Sequence, residues 1–140
     1  EVAREKNTQV LGLERIEGEN ISKFGVVDPI ETGKICTLKG IVEKPSFSEA
    51  PSELAVVGRY IFNGSIFNHI NNDEPGKNGE IQITDAILSD IANFVGYEFD
   101  GKRFDCGSKI GYLKANVEFG LADGELGPAL AEYLKGKKDL

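Results

Sequence analysis

Glu43 and Lys44 stand side by side ahead of Pro45, at the end of the apolar run Gly40-Ile41-Val42. Successive side chains of a strand point to opposite faces. An adjacent acid and base therefore reach one ligand only at a strand end or a bulge. Pro45 supplies such an end, because it cannot donate to a ladder. A carboxylate that accepts sugar hydroxyls, beside an ammonium that holds a phosphate, suits a sugar phosphate. The same two residues also read as a solvated strand terminus whose exposed ion pair does nothing specific. A second carboxylate, Asp105, lies in Phe104-Asp105-Cys106-Gly107-Ser108. It is expected at the C-terminal end of a strand, the edge where ligands of open α/β sheets collect. There it would suit Mg²⁺, which takes one or two carboxylates plus substrate phosphate oxygens. Equally, it would cap the helix that starts near Ser108. Gly25, in Phe24-Gly25-Val26-Val27, is the third candidate. A glycine inside a strand marks a bulge or a close approach to the backbone, or simple packing.

These residues need elements to hold them. Glu1 to Lys6 reads as the end of a helix, and Gln9 to Arg15 as a strand leaving it. Asn20 to Lys23 reads as a turn or short helical turn. Phe24 to Asp28 and Lys34 to Val42 read as two strands joined through Glu31-Thr32-Gly33-Lys34. Ser46 to Ser52, polar and flanked by prolines, reads as a loop. Leu54 to Phe62 is densely apolar and β-branched, the pattern of a strand buried on both faces. Ser65 is placed to cap a short helix running through Asn71, and Asn72 to Gly79 is a loop by composition. A helix opened by Gln82 or Thr84 carries Ala86, Ile87, Ile91 and Val95 at helical spacing and is closed by Gly96. Glu80 to Asp85 is its strand-like entry. Tyr97 to Phe104 alternates like a strand with one wet face. Ser108 then caps a helix carrying Ile110, Leu113, Val117 and Leu121, and Pro128 to Leu134 forms the last helix. Mixed strands and helices without strict βαβ alternation give an α/β or α+β half-domain.

Composition narrows the function. The chain has 140 residues, of which 40% are hydrophobic, enough for one modest domain with a core. A net charge of −7 and the absence of a basic patch interleaved with aromatics argue against nucleic acid as a partner. No run of about 18 apolar residues predicts a membrane span. Cys36 and Cys106 form no CxxC unit, and the single His69 completes no zinc site. Reduced thiols in a cytoplasmic protein are the simplest reading. Asn63-Gly64-Ser65 matches a glycosylation sequon that has no secretory context.

Six segments occur in a telling order. They are Phe24-Gly25-Val26-Val27, Val42-Glu43-Lys44-Pro45, Ala50-Pro51-Ser52, Leu54 to Tyr60, Glu80 to Ala86, and Asp105 to Tyr112. The series resembles the C-terminal half of the bacterial UTP–glucose-1-phosphate uridylyltransferase (UDP-glucose pyrophosphorylase) family, from about Gln9 to Leu121. Each motif alone is weak, and Val-Glu-Lys-Pro is shared with thymidylyl- and adenylyltransferase cousins. Val57-Gly58-Arg59-Tyr60 together with Asp105-Cys106-Gly107 points to the uridylyl branch. Asn78 stands where the thymidylyltransferases carry an arginine before Gly-Glu.

The resemblance implies an α/β fold, part of the Rossmann-like mixed sheet of these nucleotidyltransferases with flanking helices. Residues 1–140 would form its C-terminal, sugar-phosphate-binding half. It implies transfer of UMP from UTP to α-D-glucose 1-phosphate, with Mg²⁺ as cofactor and pyrophosphate leaving. Carried over position by position, Glu43 receives the glucose hydroxyls, Lys44 neutralises the phosphate, and the backbone at Gly25 contacts the sugar. Asp105 is then one of two Mg²⁺ carboxylates. The family's Gly-rich nucleotide loop and its first Mg²⁺ aspartate have no counterpart in these residues, so the piece by itself is expected not to turn over. An open strand edge near Leu54 to Phe62 is expected to drive self-association into a homo-oligomer. Two alternatives remain: a non-catalytic sugar-phosphate-binding, regulatory or oligomerising homologue, and a glucose-1-phosphate thymidylyltransferase relative.

Overall fold

The computed structural model describes residues 1–70 and 79–137. The expected loop at 72–79 and Asn78 therefore lie outside the described residues, apart from Gly79. The described chain groups into two compact units, Glu1–Asp100 and Gly101–Leu140. Among the described residues, no helix is long and apolar enough to cross a membrane.

The first unit is a mixed sheet. After a short helix, α1 (Val2–Lys6), come the strands β1 (Gln9–Arg15), β2 (Gly25–Pro29), β3 (Ile35–Glu43), β4 (Leu54–Ile61) and β5 (Phe94–Glu98). Helix α2 (Ile83–Ser89) precedes β5. The ladders run β1-β4-β2-β3-β5 and close back onto β1. Only the β1–β5 pair is parallel, with Gln9 opposite Phe94 and Leu13 opposite Glu98. Alternation along the strands sorts side chains to two sides. Val27, Leu11, Leu13, Leu38, Ile87 and Phe94 share the main core. Val26 turns the other way and packs with Ile21 and Ala55.

The closed ladder covers part of the open edge expected at Leu54 to Phe62: β4 has β1 on one side, and β2 on the other only at Ala55 and Val56. It also corrects the two-faced burial expected for that strand. Leu54, Ala55 and Val56 are buried, but Tyr60 and Ile61 are exposed. The cause is register: β2 pairs with β4 only at Gly25↔Val56 and Val26↔Ala55. Beyond Val56, where Gly58 takes a left-handed φ of 71°, the strand departs from β2 and keeps β1 alone.

The stretch from Gly64 to Phe104 departs further from expectation. A 3₁₀ helix spans Gly64–His69, and its cap is Asn63, whose Oδ1 accepts the Ser65 N–H at 2.8 Å. The helix opened at Gln82 stops at Ser89 rather than running to Gly96. The backbone leaves the helix at Asp90 (φ −121°, ψ 19°), whose Oδ1 accepts from the Asn93 side-chain amide at 2.6 Å and whose Oδ2 accepts from the Gln9 side-chain amide at 2.9 Å. Gly96 lies inside β5. A Cβ there would come within 2.4 Å of Leu13 Cδ1 and 2.8 Å of Cys36 Sγ, so the glycine is a core-packing requirement. The strand expected from Tyr97 to Phe104 is thus shifted to Phe94–Glu98, and Phe99 to Phe104 forms no strand.

In the second unit, helix α3 (Lys109–Ala122) begins at Ser108, whose Oγ accepts the Gly111 N–H at 3.1 Å. Helix α4 (Gly127–Lys135) packs against it where Gly120 leaves room for Leu130, a Cβ there lying 2.6 Å from Leu130 Cδ2. Ile110, Leu113, Val117 and Leu121 are all exposed.

Candidate functional site

The ladder places Gly25 directly opposite Glu43. Residues directly opposite in an antiparallel pair present their side chains to the same face. The Glu43 carboxylate accordingly hangs over Gly25: a Cβ at Gly25 would lie 3.2 Å from Glu43 Oε2 and 3.1 Å from Thr84 Cγ2. Gly25 itself is not in a left-handed conformation. Its missing side chain serves to leave bare backbone beneath a carboxylate.

Lys44 solves the problem of adjacent side chains on a strand. Its φ is +45°, a left-handed conformation that few residues other than glycine adopt. Its N–H still bonds to the Phe24 carbonyl at 3.0 Å, so the chain turns over without leaving the ladder. The turn swings the ammonium to the carboxylate's side, and Nζ lies 3.5 Å from Glu43 Oε1. A non-glycine residue in this region costs on the order of 1–3 kcal/mol and persists only where its surroundings hold it. Glu43 is largely buried, with 17% of its side chain exposed against 49% for Lys44. The pair is therefore not the fully solvated strand terminus of the bland reading.

Glu43 and Gly25 line a cavity of about 230 Å³ with Lys23, Val56, Tyr60 and Thr84. Sequence reasoning missed Tyr60 and Thr84 as site residues, although both fall in quoted motifs. Burial pushes the Tyr60 phenol up, and the charge of Glu43 adds to the shift. The Tyr60 ring stacks on Phe62 with centroids 5.0 Å apart. Thr84 is 6% exposed, and its Oγ1 has no hydrogen-bond partner among the described residues. An unpaired buried hydroxyl costs about 1–3 kcal/mol, and Thr84 is one of the residues that line the cavity. Helix α2 carries Thr84, and the tie between Gln9 and Asp90 anchors that helix to β1.

Asp105 belongs to the second unit. It does not end a strand, as expected, but sits in a turn. Nor does its carboxylate cap α3, a role that Ser108 fills. The Asp105 carbonyl accepts from Ser108 Oγ at 3.0 Å, and its Oδ1 accepts the Gly107 N–H at 3.1 Å. Gly111 permits this turn: a Cβ there would lie 1.9 Å from the Asp105 carbonyl oxygen. Among the described residues, no group of three or more His, Cys, Asp or Glu side chains is arranged to enclose a metal. The exposed Asp105 carboxylate, with Oδ1 oriented by Gly107, fits the single-carboxylate share of a Mg²⁺ whose other ligands are water and phosphate oxygens. Both cysteines are free thiols, Cys36 buried and Cys106 exposed.

Comparison with known proteins bears on this geometry. The family model described as nucleotidyl transferase matches residues 1–120. The UTP–glucose-1-phosphate uridylyltransferase of Bacillus subtilis (strain 168) is 37% identical over 132 residues, covering 92% of this chain and 45% of that protein. The enzyme of the same name from Staphylococcus haemolyticus (strain JCSC1435) is 37% identical over 138 residues, covering 96% of this chain and 48% of its own. Among solved structures, a UDP-glucose pyrophosphorylase complexed with UDP-glucose superposes with a TM-score of 0.78 at 38% identity. That superposition covers 84% of this chain and 46% of that one. A UTP-bound enzyme of the same kind from Acinetobacter baumannii superposes with a TM-score of 0.82 at 34% identity, over 95% of this chain and 47% of that one. The chain thus spans about half the length of the curated relatives it matches. With a family model covering most of its residues, on a mixed sheet that presents paired acid and base beside a bare glycine, the chain belongs to the nucleotidyl transferase family.

Proposed function

We propose that the whole protein carrying these residues transfers UMP from UTP to α-D-glucose 1-phosphate, releasing pyrophosphate and forming UDP-glucose. The observation that carries this reading is the left-handed Lys44, whose ammonium comes to 3.5 Å from Glu43, the carboxylate that lines a cavity with Gly25. Glu43 accepts hydrogen bonds from sugar hydroxyls, with Thr84 and Tyr60 lining the same cavity. Lys44 neutralises the sugar's phosphate and holds it for attack. A phosphate oxygen forms the new bond to the α-phosphorus of UTP while the bond to pyrophosphate breaks, with no covalent enzyme intermediate. Positioning two anions is the main demand on the protein. Asp105 is the residue that would hold Mg²⁺, which supplies charge neutralisation of the phosphates when bound. Free thiols fit a cytoplasmic setting. Association into a homo-oligomer belongs to the same reading, and light scattering on the whole protein measures it.

The test is formation of UDP-glucose from UTP and glucose 1-phosphate, with dTTP as competitor substrate. Preference for UTP supports the uridylyl branch. Preference for dTTP moves the protein to the thymidylyl cousins. Sugar-phosphate binding without turnover by the whole protein would leave a binding module.

Two outcomes at single residues follow. Asp105→Asn is expected to cut activity and to raise the Mg²⁺ concentration for half-maximal rate by about tenfold or more, by analogy with losses of even indirect metal contacts. Its melting temperature should stay near wild type, because Ser108 and not Asp105 caps α3. An unchanged Mg²⁺ titration would remove Asp105 from the metal site. Thr84→Val keeps the side chain's shape and deletes an unpaired hydroxyl. It should therefore raise KM for glucose 1-phosphate by about tenfold, the worth of one buried hydrogen bond, while the melting temperature holds or rises. A clear drop in melting temperature would mean that the hydroxyl has a structural partner.

A further inference from the structure

Glu43 lines the cavity with a cation that is not its ion-pair partner Lys44. Lys44 lies 3.5 Å from Glu43, so within the site these two charges largely cancel. A phosphate monoester brings a charge of about −1.5 to −2 at neutral pH. Lys23 lines the same cavity. Its ammonium donates to the neutral Asn20 Oδ1 at 2.8 Å, and among the described residues it makes no ion pair with a carboxylate. By contrast, Lys34 and Lys39 of the same unit pair with Asp100 and Asp28.

Register puts Lys23 where a second cation would work. Gly25 is opposite Glu43 in an antiparallel ladder. Lys23 precedes Gly25 by two residues and Lys44 follows Glu43 by one, so both lie beyond the same end of the β2–β3 pair. The bond from the Lys44 N–H to the Phe24 carbonyl ties the two segments together at that end. Lys23 closes the 3₁₀ helix Gly18–Lys23, where positions three apart lie in line. Asn20 thus steadies the side chain without neutralising it.

We propose that Lys23 is the second cation of this pocket and makes it select a dianionic phosphate ester over a monoanionic one. The inference rests on the sugar-phosphate reading above. Lys44 balances Glu43 and meets part of the phosphate charge, and Lys23 meets the remainder.

Steady-state kinetics of the whole protein test it, with glucose 1-phosphate as substrate and glucose 1-sulfate, a permanent monoanion, as inhibitor. In the wild type, KM should fall as pH rises through the phosphate's second ionisation near about pH 6. Lys23→Met keeps the aliphatic stem and removes the charge. Its KM at neutral pH should rise about tenfold with kcat within about twofold, as for loss of one charge-assisted contact. Its KM–pH profile should flatten, and inhibition by the sulfate should weaken much less than KM for the phosphate rises. Lys23→Arg should restore the profile. A wild-type KM and pH profile in Lys23→Met would overturn the proposal, and so would an equal loss for phosphate and sulfate, the mark of a merely structural role. If the wild-type protein neither binds nor turns over glucose 1-phosphate, the functional reading falls and the role of Lys23 falls with it. The first two results sink Lys23 alone.

Discussion

Lys44→Ala in the whole protein is expected to lower kcat/KM for glucose 1-phosphate by about 10²-fold or more, the effect of removing one preorganised donor from a charged site. Two causes would be confounded in that single variant, because Lys44 also carries the left-handed turn at φ +45°. Alanine keeps the strain and loses the ammonium. Lys44→Gly loses the ammonium and relieves the strain. Glycine avoids the roughly 1–2 kcal/mol that a Cβ costs in this conformation. The two variants should therefore be equally poor enzymes but differ in stability, with Lys44→Gly the higher in melting temperature. Kinetics with chemical denaturation separates the effects. Near wild-type kcat/KM in both variants would remove Lys44 from the site. Equal stability would mean that the surroundings, not the residue, absorb the turn.

Gly25→Ala is expected to cost about 10- to 100-fold in kcat/KM, the range of one misplaced methyl group in a specificity pocket. The added Cβ would lie 3.1 Å from Thr84 Cγ2 and 3.2 Å from Glu43 Oε2. Both neighbours must give by a few tenths of an ångström, and both belong to the cavity. Stability should move much less. Overpacking costs about 1–3 kcal/mol, while replacing glycine in extended backbone returns about 0.4–1 kcal/mol through the unfolded chain. The diagnostic result is therefore a large kinetic loss with a small shift in melting temperature. A large loss of stability with intact KM would mark Gly25 as a packing glycine only.

The helix around Ala86 and Ile87 shows where reading a sequence stops being enough. Apolar residues at Ala86, Ile87, Ile91 and Val95 keep helical spacing, and the periodicity carries the eye to Gly96. Yet the helix ends at Ser89, and the Asp90 carboxylate that follows bonds to the side chains of Asn93 and of Gln9 on β1, the latter 81 residues away in sequence. A partner so distant leaves no trace in a local pattern. For the same reason β5 was displaced: Phe94–Glu98 is a strand because β1 and β3 are there to receive it. Gly96 is required by Leu13 and Cys36, not by a turn.

Local sequence alone determined a good deal. Gln9–Arg15 is a strand at the bounds expected, because its apolar residues need no distant information to be recognised. Ser108 caps α3, since a cap bonds within its own first turn. The pairing of Glu43 with Lys44 before Pro45 named the acid and base, and it required a strand end to bring them together. Only the tertiary structure decided how that end is made and what surrounds it. The left-handed turn at Lys44 depends on the carbonyl of Phe24, and the empty space at Gly25 is defined by Glu43 across the ladder and Thr84 from α2. The cavity opens where β4 parts from β2 after two pairings. Thr84 looked like an ordinary helix residue because its burial and orphaned hydroxyl belong to the fold, and Tyr60 like an ordinary strand residue because its place in a cavity with Glu43 does. A side chain's neighbours across a sheet are set by register, and register is a property of the whole sheet rather than of any one strand.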